Sequence, residues 1–424
     1  MYIFKDVLLD EEVRPIHQSG LPDHTTVLSL IIHTEKTDYY PDKIIELDTV
    51  SDYVENISDK LITSLLMGGG DFNQLIYPYR DNLQISTRIN YNGKIVETRY
   101  KAILLNRQND TIGAKHSNMD ILEIKFQLVN LVYSVTRLKT VNGVINNTLD
   151  KILRHYLDKE LSSINIDGRV VNPIIDIVPI NNDRVYSNVI IKDNIKLIDL
   201  PLYFQQKYGI YNGGLGTYIY KDINGKDVIS VYPVYNSLIQ DDKRMKLIIY
   251  LPDADEASLI NKTAIIRNNE LQVIVTKNFK YSDIGDSKLF DQGAGFKTVN
   301  SNQVIDRVYE KKDGVLTSTK DAMVDTQSIK NTADGLPMAS HNGITDNLYA
   351  VRTKFIYNNS KKLQCQWNYS RPDYLYPGMP VEVVHYKDGI IRETGVLMSA
   401  GSNINNNSKV STTLLNVIIN GKVE

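Results

Sequence analysis

Apolar and polar positions along the chain change period several times, and each change marks an element. Val27 to His33, rich in Val, Leu and Ile, is a strand candidate. Between Asp52 and Met67, the residues Val54, Ile57, Leu61, Ile62 and Leu65 share one face at helical spacing, which predicts a helix ended by Gly68-Gly69-Gly70. Asn82 to Asn90, Ile95 to Leu105 and Asp120 to Val129 follow as predicted strands. The first two meet at Asn90-Tyr91-Asn92-Gly93, a hairpin signal. Together these elements predict a β-barrel or sandwich with one inserted helix.

The helical period takes over from Val141, where Ile145, Leu149, Ile152, Leu153, Tyr156, Leu157 and Leu161 form one stripe. Asp150, Lys151, Asp158 and Lys159 fall on the opposite face. Asp199 to Tyr208 predicts a second helix, with Pro201 in its first turn and Gly209 just past its end. Thr217 to Lys221 and Val228 to Tyr235 then flank Asn224-Gly225, the strongest hairpin signal in the chain.

Beyond Met245 the pattern is again mostly strand-like: Leu247 to Leu251, then Leu271 to Tyr281. Between Asp283 and Asn347 the chain is rich in Gly, Ser, Asp, Thr and Asn, with a short apolar beat at Val304 to Val308. This predicts an extended arm or long loop with room for one helix, functional or ordered by a partner. The last stretch holds four predicted strands, Tyr349 to Tyr357, Pro380 to Tyr386, Gly395 to Ala400 and Ser411 to Ile419, around a loop running from Arg371 to Pro380. Pro377-Gly378 forces a turn there, and Pro380 starts a strand at a position that needs no ladder donor. Ser402 to Lys409 is too rich in Asn to pack, and is expected to be a loop that meets solvent or a partner.

At 424 residues and 48.2 kDa the chain exceeds what one core usually supports, so two or three domains are expected. A formal net charge of −2 offers no basic footprint for tight nucleic-acid binding. No basic region followed by a long apolar run opens the chain, and no run reaches the length of a membrane-spanning helix. Cys365 has no second cysteine to pair with, which suits a soluble protein made in a reducing cytoplasm. Tyrosine is the compositional outlier, 27 against 8 Phe and 1 Trp. Its amphipathic ring suits β-surfaces and interfaces, though strand propensity together with an AT-rich genome explains it equally well.

Candidate chemistry is sparse. Asn212-Gly213-Gly214-Leu215-Gly216 lies between a helix and a strand, the reverse of a phosphate-binding turn, and is expected to be a plain connection. Gln292 to Thr298 pairs Lys with Thr near glycines but lacks P-loop spacing. His17, His24, His33, His116, His155, His341 and His385 show no metal-ligand spacing, so no metal or cofactor is expected. Cys365, before Trp367 in a strand-like segment, is expected to be a buried small hydrophobe. Asp241-Asp242, Asp253 with Asp255 and Glu256, and Asp283 with Asp286 could serve as a glycosidase-like carboxylate pair if folding brought two together, and charged turns are their commoner meaning.

The order of these elements resembles the central baseplate hub proteins of contractile-tailed bacteriophages. Three segments carry the resemblance: Met119 to Leu161; Ile195 to Tyr235, with Leu200-Pro-Leu-Tyr-Phe-Gln-Gln-Lys-Tyr-Gly-Ile-Tyr-Asn-Gly-Gly214; and the ending with Leu375-Tyr-Pro-Gly-Met-Pro-Val381. The resemblance implies an α+β, mainly β fold: a tube-like β-barrel domain with an inserted helix (1–133), a middle α+β section (134–244), and a second barrel (245–424) carrying a long arm (about 283–347). It implies a homotrimeric ring in the virion tail, assembled in the host cytoplasm, that joins the hexameric tail tube protein to the trimeric central spike protein. Baseplate wedge and tape-measure proteins are further expected neighbours. DNA would pass through the ring without specific binding.

No catalytic residue is expected. The residues expected at assembly interfaces are Tyr374, Leu375, Tyr376 and Met379 in the Pro-Gly turn and Asn403, Asn405 and Asn407 in the Asn-rich loop. Charged substitutions at Tyr376 and Met379 are expected to block assembly and leave the subunit folded. The rival readings are a tail-associated cell-wall hydrolase and a receptor- or carbohydrate-binding tail-tip module.

Overall fold

The computed structural model describes residues 25–91, 93–105, 120–162, 164–166, 169–235, 244–251, 264–267, 270–275, 278–283, 297–299, 309–312, 315–318, 324–326, 338–340, 349, 353, 356–357, 360–386, 390–405 and 410–422. The fold is α+β and mainly β, as the periodicities predict. Its backbone is a 15-stranded sheet built in two parts.

The first part contains β1 (Thr25–His33), β2 (Asp38–Tyr39), β3 (Lys43–Asp52), β4 (Lys60–Gly68), β5 (Gln84–Tyr91), β6 (Lys94–Leu104) and β7 (Ile121–Asn130). They pair antiparallel in the order β3-β4-β7-β6-β5-β1-β2. The sheet curls until β1 and β3 touch. The curl encloses a core that includes Leu30, Ile32, Leu65, Met67, Ile85 and Phe126. The β5–β6 turn falls at the predicted place, where the Asn90 side chain accepts a hydrogen bond from the Gly93 amide at 2.7 Å.

One predicted helix is a strand. Asp52 to Met67 was expected to be helical, yet β3 ends at Asp52, a turn follows, and β4 occupies 60–68. Leu61 and Leu65 fit either period, because four residues is both one helical turn and two strand pleats. What decides is Thr63, fully buried between them with Met67 continuing the same row. Its hydroxyl donates to the Glu46 carbonyl of β3 at 3.1 Å. Gly68 to Gly70 accordingly ends a strand and opens a short helical run over 69–79.

The middle section begins with an antiparallel ribbon of β8 (Thr140–Thr148) and β12 (Val185–Lys196). The helix Leu149–Leu161 buries Leu149, Ile152, Leu153, Tyr156, Leu157 and Leu161, the predicted stripe. Val141 and Ile145, expected on that helix, instead lie on β8. A small sheet orders β11 (Ile174–Ile177), β14 (Asp227–Tyr232) and β13 (Gly216–Lys221), and the helix Leu200–Lys207 precedes β13 with Pro201 in its first turn. The Gln205 side chain fixes the turn after this helix, accepting from the Ile210 and Tyr211 amides at 2.7 and 2.9 Å.

The second part of the large sheet runs β16 (Ala264–Arg267), β17 (Glu270–Ile274), β15 (Lys246–Leu251), β25 (Pro380–Tyr386), β26 (Ile390–Asn405), β27 (Val410–Lys422), β24 (Lys361–Asn368) and β18 (Phe279–Asp283). The predicted strand Leu271 to Tyr281 is thus two strands with different neighbours, β17 on β15 and β18 on β24. The predicted strand Tyr349 to Tyr357 is helical wherever it is described, and Thr353 Oγ1 donates to the Tyr349 carbonyl one turn back at 2.7 Å. Between 297 and 340 the described residues form short strands in two small sheets, and Val304 to Val308 lies outside the described residues. Trp367, Val383, Leu415 and Val417 share one core with Leu153, Phe204 and Tyr211 of the middle section.

Candidate functional site

The feature that organises the molecule is β26. Its first half pairs with β25 and its second half pairs with β3 of the first part, from Ser399–Asp52 to Asn405–Glu46, while β27 follows it along the other side. A strand can change neighbours on one edge only if it bends, and bulges at Thr394/Gly395 and Leu397/Ser399 supply the bend. Gly395 is required there, since a Cβ would run into the Ile418 carbonyl of β27. Ser402 to Asn405, expected in a loop meeting solvent or a partner, form the seam between the two parts of the sheet.

Around this seam the two parts and the middle section lock together. The turn after β3 reaches into the middle section: Tyr232 donates its hydroxyl to the Tyr53 carbonyl at 2.5 Å, and the Ile219 amide donates to the Ile57 carbonyl at 2.7 Å. The Tyr53 and Tyr218 rings meet edge to face at 5.0 Å. Asp59 Oδ1 accepts from Ser51 Oγ at 2.5 Å and Tyr218 Oη at 2.9 Å. Burial raises the Asp59 carboxyl above the usual aspartate range, and these two hydroxyls only partly offset the shift. Asp59 lines a cavity of about 110 Å³ with Tyr91, Tyr100, Tyr220 and Asp373. Burial likewise raises the Tyr91, Tyr100, Tyr218 and Tyr220 phenols, which stay protonated donors at neutral pH.

A second lock is a chain of buried hydroxyls. Thr25 Oγ1 of β1 and Ser411 Oγ of β27 both donate to the Ser370 carbonyl, at 3.1 and 2.7 Å. Thr413 Oγ1 donates to Ser370 Oγ at 2.6 Å and lies 2.9 Å from Ser402 Oγ.

The Pro-Gly turn is built into the subunit. Leu375 and Met379 are buried in its core, at 8% and 0% exposure. Tyr376 donates its hydroxyl to the Met245 carbonyl at 2.6 Å. Gly378, at φ +68°, lies on the Tyr232 ring with no room for a Cβ. Tyr374, half-buried, sits under the Arg371 guanidinium at 4.8 Å, and Arg371 forms a bidentate pair with Asp373 at 2.9 and 2.8 Å. Asn403 spans the seam, donating Nδ2 to Asp48 Oδ1 at 2.5 Å. Asn405 pairs through its backbone with Glu46, and Asn407 lies outside the described residues.

The remaining candidates scatter. His33 lies 2.6 Å from Asp38 and 2.8 Å from Ser86, and His155 is exposed beside Tyr156. His17, His24, His116, His341, Asp241, Asp242, Asp253, Asp255, Glu256 and Asp286 lie outside the described residues. Among the described residues no cluster of His, Cys, Asp and Glu could hold a metal ion. Cys365 is fully buried, and burial pushes its thiol up to about 12, so the nucleophilic thiolate is suppressed. The Asn212 to Gly216 run connects helix to strand as expected. Sequence reasoning missed Glu393, a buried carboxylate on β26 with Lys361, His385 and Tyr281 around it at 3.4, 3.3 and 3.4 Å. Its pattern signal was the His385 to Glu393 hairpin, which brings the two side chains to neighbouring strands.

No protein-family model and no curated protein matches the chain. Among solved structures, it is similar to the tail protein from Neisseria meningitidis MC58, at 9% identity and a TM-score of 0.47, covering 92% of this chain and 96% of that one. The 43 kDa tail protein of prophage MuSo2 from Shewanella oneidensis gives 11% identity and 0.48, covering 93% and 99%. The E. coli c3393 protein, a type VI secretion component described as structurally similar to the T4 bacteriophage tail proteins gp27 and gp5, gives 9% and 0.46, covering 92% and 76%.

Proposed function

We propose that the chain is a structural hub of a phage tail: a homotrimeric adapter between a hexameric tail tube and a trimeric central spike, and part of the DNA channel. The observation that carries this reading is the β26–β3 seam, which makes two β-built units of one subunit into a single continuous sheet. Three such subunits in a ring offer six β-units to one partner and three subunit copies to the other, which is the arithmetic of a threefold-to-sixfold adapter. Heterologous contacts that close after three steps suffice to build it. The subunit's polar interior groups are arranged as locks between its parts, and the work of such a protein is rigidity rather than chemistry.

Light scattering on the purified chain, alone and with a spike-like partner, tests the proposal. The expected mass is about 145 kDa, three times the 48.2 kDa of the chain. A monomer under both conditions would remove the adapter reading and leave a tail-tip binding or hydrolytic module in its place.

A further inference from the structure

On β6, Tyr100, Ala102 and Leu104 are buried in the first core, so Arg99, Lys101 and Ile103 project from the opposite face. The helix Leu131–Thr136 lies beside that face, and Lys101 and Ser134 line both of two adjoining clefts, of about 510 and 210 Å³. The larger cleft adds Arg99 between apolar walls from Leu131 and Val135; the smaller adds Arg80 and Arg137 beside Val129.

Charge in this groove is unbalanced. Against Arg80, Arg99, Lys101 and Arg137 stand Glu35 and Asp81, and Glu35 already accepts from Asn82 Nδ2 at 2.9 Å. Among the described residues the side chains of Arg99, Lys101 and Arg137 have no ion-pair partner. Nε of Arg99 is also shut off from water without an acceptor. An arriving carboxylate would meet the accessible head groups of Lys101 and Arg137 through charge-assisted hydrogen bonds.

We infer that this groove receives an acidic stretch of polypeptide from a partner protein, its carboxylates meeting Arg99, Lys101 and Arg137 and its apolar side chains resting on Leu131, Val135 and Val129. A polypeptide fits better than a nucleic acid for two reasons. The apolar walls match side chains that alternate with acidic ones, and the carboxylates of Glu35 and Asp81 oppose an unbroken run of phosphates. The inference needs the groove and not the ring, so it stands apart from the hub reading.

Fluorescence anisotropy of the full chain with a labelled peptide of alternating Glu and Val tests it, with a Gln-Val peptide and a single-stranded oligonucleotide as comparisons. The double variant Lys101→Gln/Arg137→Gln changes two side chains outside the core, and an unchanged melting temperature shows that it folds. The Glu-Val peptide is expected to bind saturably, to weaken with salt, and to bind the double variant about tenfold or more weakly, as loss of two charge-assisted contacts predicts. The Gln-Val peptide is expected not to bind. Absence of saturable binding, or equal binding by the double variant, overturns the inference. Tighter binding of the oligonucleotide with the same dependence on Lys101 and Arg137 also overturns it and assigns the groove to phosphate.

Discussion

Asp59 is an acid held where its charge is unwelcome, and two hydroxyls depend on it. Because its folded pKa is raised above the ordinary 3.8, the fold favours the protonated form. Its contribution to stability is therefore greatest below pH 3.8, falls as pH rises through the folded value, and stays low above it. Asp59→Asn keeps an acceptor for Ser51 and Tyr218 and removes the charge. Denaturant titrations across pH should show this variant without that fall, and at neutral pH as stable as the parent or more so. Asp59→Ala instead strands both hydroxyls and should cost about 1–3 kcal/mol at acid pH, and less at neutral pH, where the parent carries the unfavourable charge. Met379 makes the opposite point about reading residues from sequence. In Tyr-Pro-Gly-Met-Pro it looks like an exposed tip, yet its exposure is 0%, because the turn folds back onto Tyr232 of the middle section. Met379→Lys buries an unpaired charge, so the expected result is loss of the folded subunit by circular dichroism, not a folded monomer blocked in assembly.

At the level of elements, periodicity served well where one period ran unopposed and neighbours in sequence were neighbours in space. The hairpins β5–β6 and β13–β14 and the helix Leu149–Leu161 are of this kind. It failed where tertiary contacts decided. β4 has apolar residues that suit a helix, and only the burial of Thr63 against β3 reveals a strand. The Ser402 to Asn405 segment is polar, and composition places it in a loop that meets solvent or a partner. In the molecule those polar groups face others of their kind: Ser402 meets Thr413, and Asn403 meets Asp48, whose residue number differs by 355. A partner so distant leaves no local trace. The same holds for the joint around Asp59, since Ser51 is its neighbour in sequence but Tyr218 lies 159 residues away. Of the ending, the strands Pro380 to Tyr386 and Ser411 to Ile419 and the middle of β26 were legible, whereas the helical residues of Tyr349 to Tyr357 and the continuity of β26 across the seam were not.

Among the described residues, most buried apolar side chains fall into two cores. One fills the curled first part of the sheet, with Ile404 of β26 reaching into it; the other joins the middle section to the second part. Two cores can unfold separately unless something couples them, and the seam is the main-chain coupling. Gly401 tests this cleanly. It sits in β26 between Leu414 of β27 and Val50 of β3, with open space around a would-be Cβ. Gly401→Ala should therefore melt as the parent does, in one calorimetric transition. Gly401→Pro removes a ladder donor from the centre of the sheet and forces the strand apart there, at a cost on the order of 3 kcal/mol, with no core side chain replaced. The expected thermogram then shows two transitions, the first part of the sheet separating from the rest. If the proline variant still melts in a single step, the coupling lies instead in the side-chain locks around Asp59 and Ser370. Rigidity of the subunit would then depend on buried polar contacts rather than on the shared sheet.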